Sequence, residues 1–278
     1  MNDKYPKFSV LLSLYIKEKA EYFDLCMKSI TIDQSVKPSE VVIVYDGPIT
    51  KELEDVVKKY DNLFPKLIKV VINIKNKGLG LALAEGIKHC SYELIARMDT
   101  DDISKKDRFK KQLLEFMNDP NLDLCGSHIV EFSDNLTQIT GKRMVPITQK
   151  EIEKYQKKRS AFNHVTVMFK KSKVISSGNY EDCLYMEDDM LWVRMLIYGI
   201  KCKNIDDYLV YVRAGNEMIQ RRGGWKYFQN YKNGRKKIYD TGYISYFDYM
   251  ITIIIQFIVA LVPDKIRIFI FNKMLRKK

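Results

Sequence analysis

Hydrophobic residues in the first half of the chain fall into short runs, which alternate with longer segments that carry apolar side chains at helical spacing. The run VVIVY is apolar at every position, as is typical of a strand buried on both faces of a sheet. The predicted strands are Phe8–Leu14, Val41–Tyr45, Leu67–Ile74 and Glu93–Met98, and the predicted helices are Ala20–Ile30, Leu53–Tyr60, Leu79–His89 and Lys105–Phe116. This alternation predicts a doubly wound α/β fold, in which a mainly parallel sheet carries helices on both faces.

Acidic residues directly follow two of the predicted strands. Asp46 ends the second strand in the segment VYDG, and Asp99 and Asp101 follow the fourth strand in the segment RMDTDD. Because ligands bind beyond the carboxyl ends of parallel strands, we expect these carboxylates along one edge of the sheet. Carboxylates one residue apart can supply oxygen ligands to a hard cation such as Mg²⁺ or Mn²⁺, although solvated loop tips carry such acids as well.

Two further segments place functional groups at predicted helix starts. Gly78 and Gly80 open the helix in NKGLGLALAEGI, where backbone N–H groups favour an anion and where tight packing would equally require glycine. The helix in YMEDDMLWVRMLIYG carries Glu187, Asp188 and Asp189 in its first turn. Acids stabilise a helix N-terminus, but three adjacent acids exceed what a cap needs, and one of them could act as a general base.

Charge and cysteine content narrow the class of protein. The chain has 47 Lys and Arg residues against 35 Asp and Glu, a net charge of +12, which suggests nucleic acid, anionic lipid or a diphosphate-bearing substrate as a partner. Its five cysteines form no CxxC pair, which predicts buried, reduced thiols rather than a zinc site or disulfides. The N-terminal segment MNDKYPKFSVLLSLY lacks the features of a signal peptide, so we expect a cytoplasmic protein.

The C-terminal part has a different composition, which predicts a catalytic domain at 1–225 and a basic, amphipathic helical extension at 226–278. Basic and aromatic residues alternate over 221–237, and 247–262 is apolar except at Asp248, Thr252 and Gln256, which form one polar stripe on a helix. Sixteen helical residues span about 24 Å, less than the roughly 30 Å of a bilayer core. We therefore expect this helix, with a second apolar and basic segment after Pro263, to lie on an anionic membrane surface; packing on the catalytic domain or in a dimer is the alternative.

Five segments, in this order, resemble the motifs of family 2 glycosyltransferases with the GT-A fold, of the kind that assembles bacterial capsular polysaccharide, exopolysaccharide or O-antigen. They are FSVLLSLYIKE (8–18), VVIVYDGP (41–48), NKGLGLALAEGI (76–87), RMDTDDISKKDRFKKQ (97–112) and EDDMLWVR (187–194). A sixth segment, NHVTVMFKK through Gly178-Asn179-Tyr180, fits as well, so that the resemblance spans roughly residues 8–225.

The chain departs from this family pattern at one place. Many relatives carry a histidine after the catalytic helix that can complete the metal shell, whereas this chain has Ala214 and Gly215 in the segment YVRAGNEMIQRRGG. The metal would then be held by Asp101, the diphosphate and water. Arg213, Arg221 and Arg222 could neutralise diphosphate charge instead, or could belong to a solvated basic loop.

The resemblance implies a site and a reaction. The implied base is Asp188, and the implied metal ligand, for Mn²⁺ or Mg²⁺, is Asp101. The implied donor-binding residues are Ser13, Tyr15, Glu18, Asp46, Lys77, Gly78, Asp99 and Asp101, and the implied acceptor-side residues are His164, Glu187 and Trp192. An inverting displacement would move a hexose or N-acetylhexosamine from a UDP-sugar to a hydroxyl of a polyprenyl-diphosphate-linked glycan in cell-surface polysaccharide synthesis. The enzyme would be attached peripherally to the inner face of the plasma membrane.

Three other functions fit part of the sequence. A nucleic-acid-binding protein would account for the basic charge, but the sequence carries no clear base-stacking or groove-reading motif, so we expect no nucleic-acid partner. A nucleotidyltransferase would carry a phosphate-binding loop after the first strand, where SLYIKEK is poor in glycine. A nucleotide-sugar-binding protein without catalysis is the third, and intact Asp101 and Asp188 argue against it.

Overall fold

The computed structural model describes residues 4–214 and 223–263. The strands are β1 (Phe8–Leu14), β2 (Glu40–Asp46), β3 (Ile68–Asn73), β4 (Leu94–Arg97), β5 (Ile103–Ser104), β6 (Leu124–Phe132), β7 (Ile139–Arg143), β8 (Met168–Lys170) and β9 (Cys202–Arg213). The helices are α1 (Ala20–Ile30), α2 (Lys51–Leu63), α3 (Leu79–His89), α4 (Arg108–Asn118), α5 (Gln149–Gln156), α6 (Lys171–Ser176), α7 (Glu187–Ile197), α8 (Gly224–Asp240) and α9 (Tyr246–Leu261), and a 3₁₀ turn covers His164–Thr166.

One half of the sheet is parallel, as the hydrophobic runs predict. Strands β3, β2, β1 and β4 lie side by side in that order, and each neighbouring pair is parallel. β1 lies in the middle of this half, and its side chains are buried on both faces apart from a half-buried Ser13. This arrangement puts the carboxyl ends of β1, β2 and β4 at the same edge, where the predicted acids lie.

The other half of the sheet is mixed. β8 pairs antiparallel with both β4 and β6, β9 runs parallel to β6, and β5 and β7 add antiparallel pairs. The predicted α/β class is therefore confirmed, while the antiparallel pairs are a feature that the sequence analysis did not locate.

Helices cover both faces of this sheet. Val10 and Leu12 of β1 point into a core shared with α1, α2 and α4, whereas Leu11 points into a second core shared with α3, α5, α6 and α7. This alternation is what a strand buried on both sides requires. The five cysteines are free and buried, as predicted.

The last two described helices, α8 and α9, form a pair that we call the C-terminal hairpin. Gly234 of α8 lies so close to α7 that an added Cβ would fall 2.7 Å from Cγ of Met186, so this contact requires glycine. A third buried cluster then joins Met186, the residue before α7, and Val193 of α7 to Ile238 of α8 and Tyr249 of α9. The division at 225/226 stays a prediction, but the hairpin packs directly against the helix that carries the acidic turn.

The predicted polar stripe of α9 is turned toward the protein. Thr252 is 5% exposed and accepts a hydrogen bond from Arg235 Nε at 3.2 Å, and Asp248 closes a capping box with Ser245 at the helix start. The apolar side chains on the opposite side are exposed, among them Phe247, Ile254, Ile258 and Leu261. α9 thus packs on the domain, as the alternative prediction had it, and leaves an apolar surface outside; contact of this surface with a membrane stays a prediction.

Among residues 4–214 and 223–263, no helix is both long enough and apolar enough to cross a bilayer. The predicted second apolar segment after Pro263 lies outside the described residues, as do Gly215, Arg221 and Arg222.

Candidate active site

The carboxyl ends of β1 and β4 bring Glu18 and the acidic segment together. Thr100 follows β4 and donates its hydroxyl to the Glu18 carboxylate at 2.6 Å. Ser13 is half-buried at the end of β1, and Tyr15 is exposed just beyond it. Glu18 therefore lies at the edge of the sheet where the acidic segment after β4 begins, and the binding of a donor by Ser13, Tyr15 and Glu18 remains a prediction.

Asp46 fixes the glycine-rich loop in front of α3. Its carboxylate is 4% exposed and accepts the backbone N–H groups of Lys77 and Gly78 at 2.8 and 2.9 Å. Gly78 has a φ of 86°, which a side chain would strain, and Gly47 has a φ of 90° beside the backbone of Asn76. The Lys77 side chain is itself exposed. Asp46 thus positions the loop at the sheet edge, in addition to the donor contact that the resemblance implies.

Arg97, the last residue of β4, is a site residue that the sequence analysis did not single out. Arg97 is 2% exposed, and both terminal nitrogens of its guanidinium donate to the Asp99 carboxylate. Nη1 lies 2.5 Å from Oδ2, and Nη2 donates to Oδ1. A second buried arginine, Arg108, donates to the backbone oxygen of Arg97 at 2.6 Å. An arginine inside an apolar strand just before an acidic segment was the available signal, because a buried guanidinium needs partners.

The residues after Asp99 have different partners. Asp102 is buried and accepts the backbone N–H of Arg213 at 2.7 Å, and Nε of Arg213 donates to the backbone oxygen of Asp101 at 3.2 Å. Arg213 also lies over the ring of Tyr22, 3.7 Å from its centroid. Arg213 therefore contacts the acidic segment and holds it in place. The sequence had suggested a different role for Arg213, the neutralisation of diphosphate charge.

Asp101 is the carboxylate best suited to a divalent cation. Burial, followed by the charges of Asp99 and Glu18, raises its pKa above the usual range. Such crowded carboxylate oxygens are the donors that Mg²⁺ and Mn²⁺ prefer, and a cation would relieve their repulsion. No group of three or more potential ligands forms a closed cage in the described parts of the chain. The binding of a cation by Asp101, with further ligands from a diphosphate, stays a prediction.

The first turn of α7, Glu187–Asp189, is called here the acidic turn. Within it, the side chain of Asp189 contacts two other helices. Asp189 accepts a hydrogen bond from Gln156 of α5 and lies 3.7 Å from the fully buried Arg235 of α8. Burial, followed by the charge of Asp188, raises the pKa of Asp189 to about 7. This carboxyl is therefore engaged in joining α7 to α5 and to the C-terminal hairpin.

Glu187 packs against the glycine-rich loop. A Cβ on Gly80 would fall 3.0 Å from Cβ of Glu187 and 2.8 Å from the backbone oxygen of Glu181, so the approach requires glycine. The packing alternative for this glycine is thus correct, and it brings the starts of α3 and α7 into contact. Burial, followed by the charge of Asp188, raises the pKa of Glu187.

Asp188 is an acid of this turn that lines open space. It is half-buried and lines a groove of about 1020 Å³ between the segment at 143–160 and the C-terminal hairpin. Burial raises its pKa, while the positive charges of Arg97 and Arg143 act in the opposite direction. A partly desolvated carboxylate beside open space has the properties of a general base.

The half-buried His164 and the buried Tyr180 form a hydrogen-bonded pair, and Arg97 is close enough to act on both by its charge. Nε2 of His164 lies 2.7 Å from the Tyr180 hydroxyl, and burial lowers the pKa of His164 well below its usual value, so the ring is neutral. Trp192 is fully buried and packs edge-on against His164, with the ring centroids 5.8 Å apart. The structure therefore brings these two predicted acceptor-side residues together, but Trp192 lies in the core behind His164 rather than on the surface.

Two curated bacterial glycosyltransferases are similar to this chain over nearly their whole length. The chain is 37% identical over 273 residues to the amylovoran biosynthesis glycosyltransferase AmsE of Erwinia amylovora, covering 96% of this chain and 98% of AmsE. It is 36% identical over 278 residues to a UDP-Gal:α-D-GlcNAc-diphosphoundecaprenol β-1,3-galactosyltransferase of Escherichia coli, covering 100% and 99% of the two chains.

Solved structures share the fold at low sequence identity. Staphylococcus aureus TarS 1–349 in complex with UDP-GlcNAc superposes with a TM-score of 0.62 at 16% identity, over 94% of this chain and 69% of that chain. The mannosyltransferase PcManGT of Pyrobaculum calidifontis in complex with GDP-Man and Mn²⁺ gives a TM-score of 0.62 at 15% identity, over 84% and 64%.

The predicted GT-A fold is confirmed by these structures. The family model described as glycosyl transferase family 2 matches residues 9–183. The chain belongs to this family and is a glycosyltransferase.

Proposed function

We propose that the chain transfers a hexose or N-acetylhexosamine from a UDP-sugar to a hydroxyl of a polyprenyl-diphosphate-linked glycan during cell-surface polysaccharide synthesis. The observation that carries the proposal is the meeting of two groups at one sheet edge: the carboxylates around Asp101, and the acidic turn beside the glycine-rich loop. The E. coli relative, whose name states a UDP-Gal donor and a diphosphoundecaprenol-linked acceptor, supports this choice of substrates over the full chain length.

The donor would lie across the carboxyl ends of β1, β2 and β4. Glu18 and Asp46 would orient the nucleoside, Asp99 would contact the nucleotide while Arg97 holds its carboxylate, and Asp101 would hold a Mn²⁺ or Mg²⁺ ion together with the diphosphate. When bound, the cation supplies positive charge near the leaving diphosphate.

Asp188 would accept the proton of the acceptor hydroxyl. As that proton leaves, the oxygen forms a bond to the anomeric carbon, and the bond from this carbon to the diphosphate oxygen breaks. A single displacement from the opposite side inverts the configuration, so an α-linked donor gives a β-linked product. Burial of Asp188 makes it a stronger base than an exposed aspartate, because its pKa is raised.

The exposed side of α9 supports attachment to a membrane surface. Phe247, Ile254, Ile258 and Leu261 follow one another at helical spacing and are each more than half exposed. With the net charge of +12, this surface suits the anionic inner face of the plasma membrane.

The proposal is tested first by donor binding and then by transfer. Thermal shifts of the full chain in detergent are measured with UDP-Gal, UDP-Glc and UDP-GlcNAc, each with Mn²⁺ or Mg²⁺, and GDP-mannose serves as the control donor. A donor at 100 times its dissociation constant stabilises the fold by about 2.7 kcal/mol. The bound donor is then incubated with a lipid-diphosphate-linked monosaccharide, and the product linkage is determined. Stabilisation by GDP-mannose alone, or no transfer with any UDP-sugar that binds, would contradict the proposal.

A further inference from the structure

The groove in front of Asp188 has two chemically different walls. One wall consists of α5 and its flanking segments, which contribute Arg143, Lys158 and Arg159. The other wall is the C-terminal hairpin, whose helix α9 contributes Ile251 and Ile255. The groove volume of about 1020 Å³ exceeds what a single sugar ring needs.

The first wall carries more positive than negative charge, since Arg143, Lys154, Lys158 and Arg159 line it together with one carboxylate, Glu151. Lys158 and Arg159 follow the C-terminal end of α5, and neither forms an ion pair with another residue of 4–214 or 223–263. Arg143 extends the same wall, and its guanidinium donates to the backbone oxygen of Ser160 at 3.1 Å. Such cations near the mouth of a groove match a multiply charged anion of diphosphate size.

The second wall is mainly apolar along α9, although Thr252 and Gln256 also line the groove. Ile251, Ile255 and Val259 recur every fourth residue over about 12 Å of helix. Ile258, one residue from Val259, belongs to the exposed apolar side that we assign to the membrane. A hydrocarbon chain in the groove would therefore have this row of apolar side chains beside it, one residue away from the exposed apolar side of α9.

The buried side chain of Arg235 connects the C-terminal hairpin to α5 and to the acidic turn. Arg235 donates from Nη2 to the backbone oxygen of Lys157 at 2.6 Å and from Nε to Thr252 at 3.2 Å, and its Nη1 lies 3.7 Å from Asp189. The two walls and the acidic turn are thus connected through a single residue. The positions of the two groove walls are accordingly fixed relative to the acidic turn by buried hydrogen bonds.

We propose that this groove is the binding site of the lipid diphosphate of the acceptor. Lys158 and Arg159 pair with the diphosphate, the wall of Ile251 and Ile255 takes the first part of the polyprenyl chain, and the attached sugar presents its hydroxyl to Asp188. The inference rests on the proposed function and adds to it which residues recognise the lipid diphosphate.

The test compares two variants that lose the same charge. The groove variant is Lys158→Gln/Arg159→Gln, and the control variant is Lys150→Gln/Lys157→Gln, whose exposed side chains do not line the groove. With a lipid-diphosphate acceptor, we expect the acceptor KM of the groove variant to exceed that of the control about tenfold to a hundredfold. With an alkyl glycoside of the same sugar, which lacks the diphosphate, the difference should shrink to within twofold. Equal KM values of the two variants for the lipid-diphosphate acceptor would overturn the assignment.

A binding assay separates this inference from the proposed function. Farnesyl diphosphate is titrated into the full chain with UDP and Mn²⁺ at saturation, so that the nucleotide site is filled. We expect the wild type to bind it at least tenfold more tightly than inorganic diphosphate or farnesol, and Ile255→Gln and the groove variant to reduce this preference. Groove-dependent binding without sugar transfer would contradict the proposed function alone. Inorganic diphosphate binding as tightly as farnesyl diphosphate would overturn the lipid assignment.

Discussion

Replacing Asp188 by asparagine removes a base from the groove and keeps the size and shape of the side chain. Asn retains a carbonyl oxygen for hydrogen bonding but has no useful basicity. The neighbouring acids provide matched controls, because Asp189 is engaged with Gln156 and lies beside Arg235, and Glu187 packs beside Gly80. The three amide variants Glu187→Gln, Asp188→Asn and Asp189→Asn therefore separate the base from its two neighbours.

The expected loss of rate follows from the role in the transition state that we propose for Asp188. Loss of a general base costs about a hundredfold to ten-thousandfold in rate, which corresponds to roughly 2.7–5.5 kcal/mol of activation free energy. A group that acts only on the acceptor proton contributes little to holding the donor, so the UDP-sugar dissociation constant should stay within a few-fold of wild type. Asp189→Asn can still accept the hydrogen bond from Gln156, and we expect its kcat to stay within about tenfold of wild type.

The assay measures kcat, acceptor KM and donor affinity for all three variants, with UDP release and product mass as independent readouts. A pH profile adds a second criterion, because the base acts only when deprotonated. Burial raises the pKa of Asp188, so the rate should fall with decreasing pH through a value above the usual 3.9 of aspartate. This acidic limb should be absent from the residual activity of Asp188→Asn.

Normal turnover by Asp188→Asn would refute the assignment of the base. If Glu187→Gln or Asp189→Asn collapsed instead, the base would lie one residue away and the groove would approach the site differently. If all three variants stayed active, the acidic turn would serve only as a helix cap, and the inverting mechanism would lack a base on α7.

Three further predictions concern other parts of the molecule. Gly80→Ala should lower the free energy of unfolding by about 1–3 kcal/mol and lower kcat, because its Cβ would fall 2.8 Å from a backbone oxygen beside Glu187; unchanged thermal stability would contradict this. Asp101→Asn should reduce turnover to near background and weaken Mn²⁺-dependent UDP binding, whereas wild-type activity undiminished in EDTA would exclude a metal role. Ile254→Asp/Ile258→Asp should lower partition onto anionic vesicles at least about 30-fold, since each half-exposed side chain contributes roughly 1 kcal/mol on burial, and unchanged co-sedimentation would exclude a membrane role for α9.

The parallel half of the sheet could be predicted because its strands carry a strong local signal. β1 and α1 have the predicted bounds, and β2 differs by one residue at each end. The antiparallel half has a weaker signal, since β8 is only Met168–Lys170 and its pairing with β4 and β6 joins distant parts of the chain. Pairings of this kind depend on tertiary contacts that no local pattern contains.

The positions of the acidic residues in the site could be predicted from the sequence, but the contacts that each carboxylate makes could not. Strand ends and helix starts indicate where Asp46, Asp101 and Asp188 lie, because topology fixes those positions. That Asp46 binds loop amides, and that Asp189 is beside Arg235, depends on side chains brought together from distant segments. Neighbouring carboxylates look alike in the sequence, whereas their burial and hydrogen bonds in the folded protein differ.

The position of Arg235 links the proposed membrane surface to the proposed catalytic base. A helix that served only as an anchor would need no buried charge linked to the acidic turn, yet Arg235 contacts Thr252 of α9 and lies 3.7 Å from Asp189, next to the proposed base. A buried guanidinium that lost these partners would carry an unfavourable desolvation cost, so α9 cannot shift without disturbing the turn. The apolar surface proposed to contact the bilayer is thereby linked to the helix turn that carries the proposed base. A lipid-linked substrate, which has its chain in the bilayer and its sugar in water, requires this fixed relation.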